Sequence, residues 1–392
     1  MVSKWPLVKF KTLYKQPSRN GLTKPKKVRG EGYKFINMGE VFAYGRMHNI
    51  PCDRVPMTEK EKSNSFLEDG DLLFARQSLV LSGAGKCSIF LGDDEETTFE
   101  SHLIRVRLDQ EKVNPEYAYY YFNSPQGRAN ISTIVEQGAG QAGIRGSDLE
   151  NLAFPLPPKE AQDFIADMAR PTDIKIELNS QTNQTLENMA QALFKSWFVD
   201  FDPVIDNALA AGNTIPEPPQ KRAELRQAMR ASDDAPAPLP EAIRQLFPAS
   251  FVFDAEMGWI PEGWGVQQIG KVIENVGGGT PRTKEDAFWV DGTHAFCTPK
   301  DMSLLTSKAL LGTERHLTDA GVAKISSGQL PEGTVLMSSR APIGYLAIND
   351  IPVSVNQGII AMKPNDAFSS EYLLSWAEAN MEEVVSRAMA LT

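Results

Sequence analysis

The chain has 392 residues, enough for two or three domains, and its 42% apolar content fits a globular protein with no apolar run approaching the length of a membrane span. A formal net charge of −10 excludes a protein coated with basic charge. Cys52, Cys87 and Cys297 form no C-x-x-C pair and no even disulfide set, the four histidines are scattered, and the N-terminus lacks a secretory apolar stretch. The expectations are reduced thiols, no metal or other cofactor, and a cytoplasmic protein.

Residues 1–34 come first, with ten cations from Lys4 to Lys34 against the single acid Glu31. A local basic face on an acidic protein suits phosphate contact. The runs "DLLFAR", "CSIFLG" and "HLIRVRL" follow, bounded by Gly and Asp as strands are. "PEYAYYYFNSPQGRANISTIV" then predicts helix after a proline start. Two stretches here imitate motifs. "LSGAGKCS" (81–88) lacks the earlier glycine of a phosphate-binding loop, because Val80 stands there. "NPEY" (114–117) has Glu116 at the third position of the N-P-P-Y motif of amino-methyltransferases, and no glycine-rich cofactor motif accompanies it. Gly138-Ala-Gly140-Gln-Ala-Gly143 fits G-x-G-x-x-G. A dinucleotide site needs a helix to start there, and Pro155, Pro157 and Pro158 follow too closely for one to continue.

"KEAQDFIADMAR" reads as a helix closed by Pro171, and residues 173–201 then run without Gly or Pro. Leu178, Thr182, Thr185, Met189, Leu193 and Ser196 fall near a heptad seam, partly polar. Whether coiled-coil strand or ordinary amphipathic helix, this strut spans about 40 Å. It ends in Phe194, Trp197, Phe198 and Phe201, more apolar surface than one helix face can hide, which predicts a partner there. Residues 203–250, rich in Ala, Pro and charge, predict a linker or a small helical hairpin.

Beyond this point the first unit recurs. "KFINMGE" (34–40) matches "AFCTPKDM" (295–302), "LEDGDLLFAR" (67–76) matches "LPEGTVLMSSR" (330–340), "SHLIRVRL" (101–108) matches "NQGIIAMK" (356–363), and "NPEYAYYYFNS" (114–124) matches "SSEYLLSWAEA" (369–379). Order is preserved and the offset stays at about 260 residues, as a duplication leaves it. Each unit predicts a compact α+β domain.

The segments "GIRGSDLENLAFPLPPKEAQ", "ALFKSWFVDFDPV", "LFPASFVFDAEMGWIPEGW" and "GKVIENVGGGTPRT" together resemble the specificity (S) subunit of type I restriction–modification systems, over nearly all of the chain. The resemblance implies an α+β fold of two target recognition domains separated by a long helical, coiled-coil-like spacer. It assigns residues 1–158 to the first recognition domain, 159–202 to the spacer, 203–258 to the linker or hairpin, and 259–392 to the second recognition domain. That second repeat is expected to be incomplete, since "VSRAMALT" falls short of a second glycine loop and long helix. The resemblance further implies a non-catalytic protein that reads a bipartite target in double-stranded DNA and docks methyltransferase (M) and restriction (R) subunits.

The expected DNA-binding residues are Lys24, Lys26, Lys27, Arg29, Arg46, Arg76, Gln77, Lys86 and Gln141 in the first domain. In the second they are Thr280, Arg282, Lys284, Lys300 and Arg340. Arg and Lys suit guanine edges and phosphates, and Gln suits adenine. Arg76 and Arg340 both follow matching strands. Trp197, Phe198 and Phe201 are expected to bind the methyltransferase, with Ala changes there leaving the fold intact. The helix seam is expected either to pair with a second copy of the chain or to be covered by a methyltransferase helix. Two other readings stand beside this one. One is a scaffold that binds methyltransferase subunits without full target recognition. The other is a self-sufficient methyltransferase, for which no cofactor motif is found.

Overall fold

The computed structural model describes residues 5–138, 140–232, 237–340 and 342–390. The chain divides into two compact units between Ile176 and Glu177.

In the first unit a five-stranded sheet runs in the order Tyr14–Asn20, Leu103–Leu108, Leu72–Ala75, Cys87–Phe90, Arg46–Met47. All neighbours are antiparallel except the last pair. Leu72–Ala75 and Cys87–Phe90 are buried on both faces, which explains why they read as continuous apolar runs rather than alternating ones. A second sheet sets Tyr33–Ile36 between Asp53–Val55 and Thr97–Phe99. The core is built on rings: Phe10 lies 4.8 Å from Phe122 and 5.2 Å from Phe154, and Phe74 lies 5.1 Å from Phe122. "NPEY" is a helix cap. The Asn114 carboxamide accepts from the Glu116 and Tyr117 amides, Pro115 occupies the first turn, and Tyr119 and Phe122 are buried.

The second unit repeats this wiring. Its five-stranded sheet runs Glu274–Gly277, Ile359–Lys363, Val335–Ser338, Leu346–Asn349, Ala309–Leu310, again with one parallel pair at the same edge. Its three-stranded sheet sets His294–Cys297 between Arg315–Leu317 and Val353–Val355, antiparallel to the first and parallel to the second. Even the capping boxes correspond, Asn37 with Glu40 and Thr298 with Asp301. The duplication predicted from order and offset is therefore a duplication of topology. The helix Met381–Ala390 stands where Pro125–Ser132 stands in the first unit.

The long helix is Lys159–Phe194, uninterrupted at Pro171, which corrects the helix end expected there. Proline deprives the Asp167 carbonyl of its helical donor, but Pro171 is exposed, so water can serve that carbonyl. A π-helical turn, Lys195–Val199, and a left-handed Phe201 (φ 55°) then lead into the helix Asp202–Ala211. That helix pairs with Pro219–Arg230 through an ion ladder. Arg222 reaches Asp202 at 2.8 Å, Arg226 reaches Asp206 at 2.7 Å, and Arg230 reaches Asp206 at 2.8 Å. Acids four apart on one helix thus meet arginines four apart on the other. Burial would raise the Asp202 carboxyl, but Arg222 and Ser196 outweigh it and hold the group below its usual range. Asp202–Ala211 and Pro219–Arg230 thus form a helical hairpin within this segment.

Trp197, Phe198 and Phe201 are half-buried within the chain itself. Phe198 lies 5.1 Å from Phe194, 5.4 Å from Tyr372 and 6.1 Å from Trp264, while Trp197 lies 5.6 Å from Phe247. These rings pack the helix end against the following hairpin segment and the second repeat, so Ala changes here remove contacts within the chain.

Cys87 and Cys297 are buried, all three cysteines are free, and burial pushes the Cys297 thiol up to about 12. No group of metal-ligating side chains occurs among the described residues, and none of their helices is long and apolar enough to cross a membrane.

Candidate nucleic-acid interface

Three strand ends of the first sheet meet at one end of the domain. Gly21 follows Tyr14–Asn20 and lies so close to the Phe99 and Glu100 carbonyls that a Cβ would stand 2.1 and 2.5 Å from them. The Leu22 amide donates to the Phe99 carbonyl at 2.8 Å, and the Ser101 amide donates back to the Leu22 carbonyl at 2.9 Å. The Arg76 amide, just past Leu72–Ala75, donates to the His102 carbonyl at 2.8 Å. Gln77–Ser78 then pairs with Ala142–Gly143, which pairs with Glu136–Gln137. The glycine-rich stretch is therefore a hairpin tip, not a helix start. The Gly138 amide donates to the Gln141 carbonyl at 2.8 Å, Gly140 sits at φ 93°, and the Gln141 side chain is exposed. Ala139 lies outside the described residues.

The same end of the second domain is built alike. A Cβ on Gly278 would stand 2.1 and 2.2 Å from the Val355 and Asn356 carbonyls, and the Gly279 amide donates to Val355 at 3.0 Å. The Thr280 hydroxyl donates to the Gln357 side chain, and the Ser339 amide donates to the Gly358 carbonyl at 2.8 Å. Gly21 and Gly278 are thus one position, and the basic stretches behind them, 24–29 and 282–284, are one loop. The sequences agree with this register: Gly21, Thr23 and Lys27 of the first loop fall opposite Gly278, Thr280 and Lys284 of the second.

This frame also corrects the pairing of Arg76 with Arg340. By its bond to Gly358, Ser339 stands where Arg76 stands, and Arg340 takes the register of Gln77. Both repeats return through a glycine of positive φ, Gly85 at 68° and Gly344 at 104°. The Gly85 amide donates to the Ala75 carbonyl at 2.8 Å and the Gly344 amide to the Ser338 carbonyl at 3.0 Å. Between these fixed points the first repeat has residues 77–84 and the second only 340–343.

The expected site residues separate into two groups. Lys26, Lys27, Arg282, Lys284, Gln141 and Arg340 are exposed, and Arg76 and Gln77 half-buried; none of the cations makes an ion pair among the described residues. The remaining cations are engaged. Lys24 meets Glu61 at 2.9 Å, and Lys300 meets Glu314 at 2.6 Å. Arg29 bonds Asp53 at 2.8 Å and Asn37 at 2.7 Å. Lys86 donates to the Phe42 carbonyl at 2.9 Å; burial first, then Arg128, lowers its pKa. Arg46 contacts Glu116 at 2.6 Å and Tyr120 at 3.2 Å, inside the domain.

Arg170 and Arg128 are structural cations that the sequence alone does not single out. Arg170, on the long helix, grips Glu116 from the other side at 2.7 Å. Burial acts to raise Glu116, but Arg170 and Arg46 prevail and its pKa lies below the usual carboxylate range. A depressed folded pKa means that this stabilisation is present above the unfolded value of about 4.3 and is lost as pH falls through the folded one. Glu116→Gln should therefore lower stability near neutral pH by on the order of 2 kcal/mol, since two guanidinium groups lose their anion. The gap from wild type should close below about pH 4 in denaturant titrations. A gap that persists in acid would show that charge is not its source.

Arg128, on the helix Pro125–Ser132, donates to the carbonyls of Ser82 at 2.6 Å, Gly85 at 2.9 Å and Ala84 at 3.3 Å. The phosphate-loop imitation thus turns its carbonyls onto an internal arginine, and no anion cradle forms from them.

A family model described as the type I restriction modification DNA specificity domain matches residues 5–188 and 261–390. The specificity subunit of the type I restriction enzyme HindI of Haemophilus influenzae is 27% identical over 358 residues, covering 86% of this chain and 75% of that protein. The MjaIX specificity subunit of Methanocaldococcus jannaschii is 39% identical over 120 residues, 31% of this chain and 28% of its own. Among solved structures, the S subunit of a type I restriction–modification system from M. genitalium aligns at 13% identity with a TM-score of 0.45, covering 100% of this chain and 81% of that one.

Proposed function

This chain belongs to the type I restriction modification DNA specificity family, and from that premise we propose that it reads a bipartite target, one half with each repeat, while docking methyltransferase subunits and, through the complex, restriction subunits. Its part is sequence-specific DNA recognition rather than catalysis. The observation that carries the bipartite reading is the doubled frame. In each repeat a close-packed glycine presents an exposed basic loop beside a second turn bearing Gln77 or Arg340. Lys26, Lys27, Arg282 and Lys284, which make no ion pair among the described residues, suit phosphates, and Gln77, Gln141, Arg76 and Arg340 suit base edges.

Docking is supported by the long helix. Leu178 is 53% exposed, Met189 56% and Leu193 49%, a seam left largely open among the described residues. Leaving such side chains in water costs about 1.5 to 3 kcal/mol each relative to burial. A methyltransferase helix over the seam leaves one specificity chain per complex and an asymmetric target. A second copy of the chain over it makes the target palindromic. The test is light scattering of the chain with and without methyltransferase subunits, followed by selection of the complex on random duplexes. Two enriched blocks with a fixed gap support the reading; a complex that forms yet enriches nothing reduces the chain to a scaffold.

A further inference from the structure

The first repeat has four more residues between the fixed points than the second, and Leu79, the most exposed large apolar side chain among the described residues of that repeat, lies in this stretch with Val80 and Leu81 beside it. Leu79 is 82% exposed, Val80 59% and Leu81 57%. Three consecutive aliphatic residues in water contribute nothing to the frame, since the second repeat closes the same turn without them. They do not hang on a loose loop. The Val80 amide donates to the Ser78 hydroxyl at 3.2 Å, the Gly83 amide to the Val80 carbonyl at 3.0 Å, and Arg128 holds the three carbonyls behind them. Ser78 itself is a rung of the small sheet that carries Gln77 and, across the strand pair, leads to Gln141. An apolar projection braced in this way, beside polar side chains suited to base edges, matches what a protein needs to enter a base stack.

We infer that Leu79, backed by Val80 and Leu81, is a wedge that opens one base step of the half-site read by the first repeat. The inference rests on the DNA-reading function proposed above. Opening a step costs stacking energy, and that cost is lowest at pyrimidine–purine steps. The first half-site should therefore carry a TA or CA/TG step at a position that no polar side chain reads, and the second half-site should have no such requirement.

The test uses the full chain with methyltransferase subunits on the duplex enriched by selection, with 2-aminopurine placed at successive positions. Wild type should brighten one step that Leu79→Ser leaves dark, whereas a base extruded by the methyltransferase brightens with both chains. Affinity of Leu79→Ser for the enriched duplex should fall roughly tenfold, the scale of one lost base-pair preference. Affinity for random duplexes, set by phosphates, should hold within about twofold. Leu79→Met should restore the bright step. Leu79 is exposed, so the fold tolerates these changes. Identical fluorescence and affinity for wild type and Leu79→Ser would overturn the wedge while leaving the recognition function standing. Loss of methyltransferase binding with DNA binding intact would overturn it in favour of a protein contact. A wild-type complex that enriches no sequence would remove the recognition function and the wedge with it.

Discussion

Reversing Lys26, Lys27, Arg282 and Lys284 to Glu is expected to weaken binding to every duplex by about a hundredfold or more at low salt, and to flatten the salt dependence by up to about 3.6 in slope, since each of the four phosphate contacts releases about 0.9 counterion. These four are chosen because they are exposed and make no ion pair among the described residues. Lys24 and Lys300, equally basic in the sequence, are neutralised by Glu61 and Glu314. Lys24→Met and Lys300→Met should therefore move the slope little. Affinity measured across a salt series distinguishes the two sets, and equal effects from both would mean that the ion pairs open on binding. An unchanged slope in the fourfold variant would place the DNA elsewhere.

Trp197→Ala and Phe198→Ala are each expected to destabilise the second unit by about 3 kcal/mol, the low end for truncating a large core aromatic, because the rings are half-buried. For a unit of this size that is roughly a 6 to 12 °C drop in Tm. Phe198 alone faces rings from the long helix, the hairpin segment and the second repeat, namely Phe194, Phe247, Trp264 and Tyr372. Leu178→Ala, at an exposed position of the seam, should cost under about 1 kcal/mol. Calorimetry of the purified chain reads both. If the aromatic variants melt like wild type yet lose the methyltransferase, those rings are the docking surface after all.

The sequence alone leaves the cover of these rings open for a physical reason. Four large apolar residues crowding a helix end need cover, and the pattern cannot tell cover by another subunit from cover by a segment fifty residues on. The ion pair of Arg46 was equally hidden. An arginine on a loop-like stretch reads as a free cation until Glu116 and Arg170, distant in sequence, are placed around it. The repeat itself was legible because buried strands constrain residue type at fixed spacing, and those spacings survive duplication. The turn holding Arg76 is exposed and changes length between repeats, so the register slipped by one and Arg340 was matched to the wrong partner. Pro171 was read as an end because an interior proline ordinarily breaks a helix; an exposed site on a well-anchored helix tolerates it. The ladder of Asp202 and Asp206 against Arg222, Arg226 and Arg230 was written in the four-residue spacing of both helices, and only the pairing of the two segments was needed to see it.

The central claim is that each repeat reads its own half of the target with the same end of the same frame. The most direct measurement is a pair of selections on random duplexes, one with the wild-type complex and one with Thr280, Arg282, Lys284 and Arg340 all changed to Ala. Wild type should enrich two sequence blocks separated by a fixed gap, and the variant should keep one block intact while the other becomes random. Enrichment of one continuous sequence, or loss of both blocks together in a variant that still folds and still binds the methyltransferase, would contradict the account.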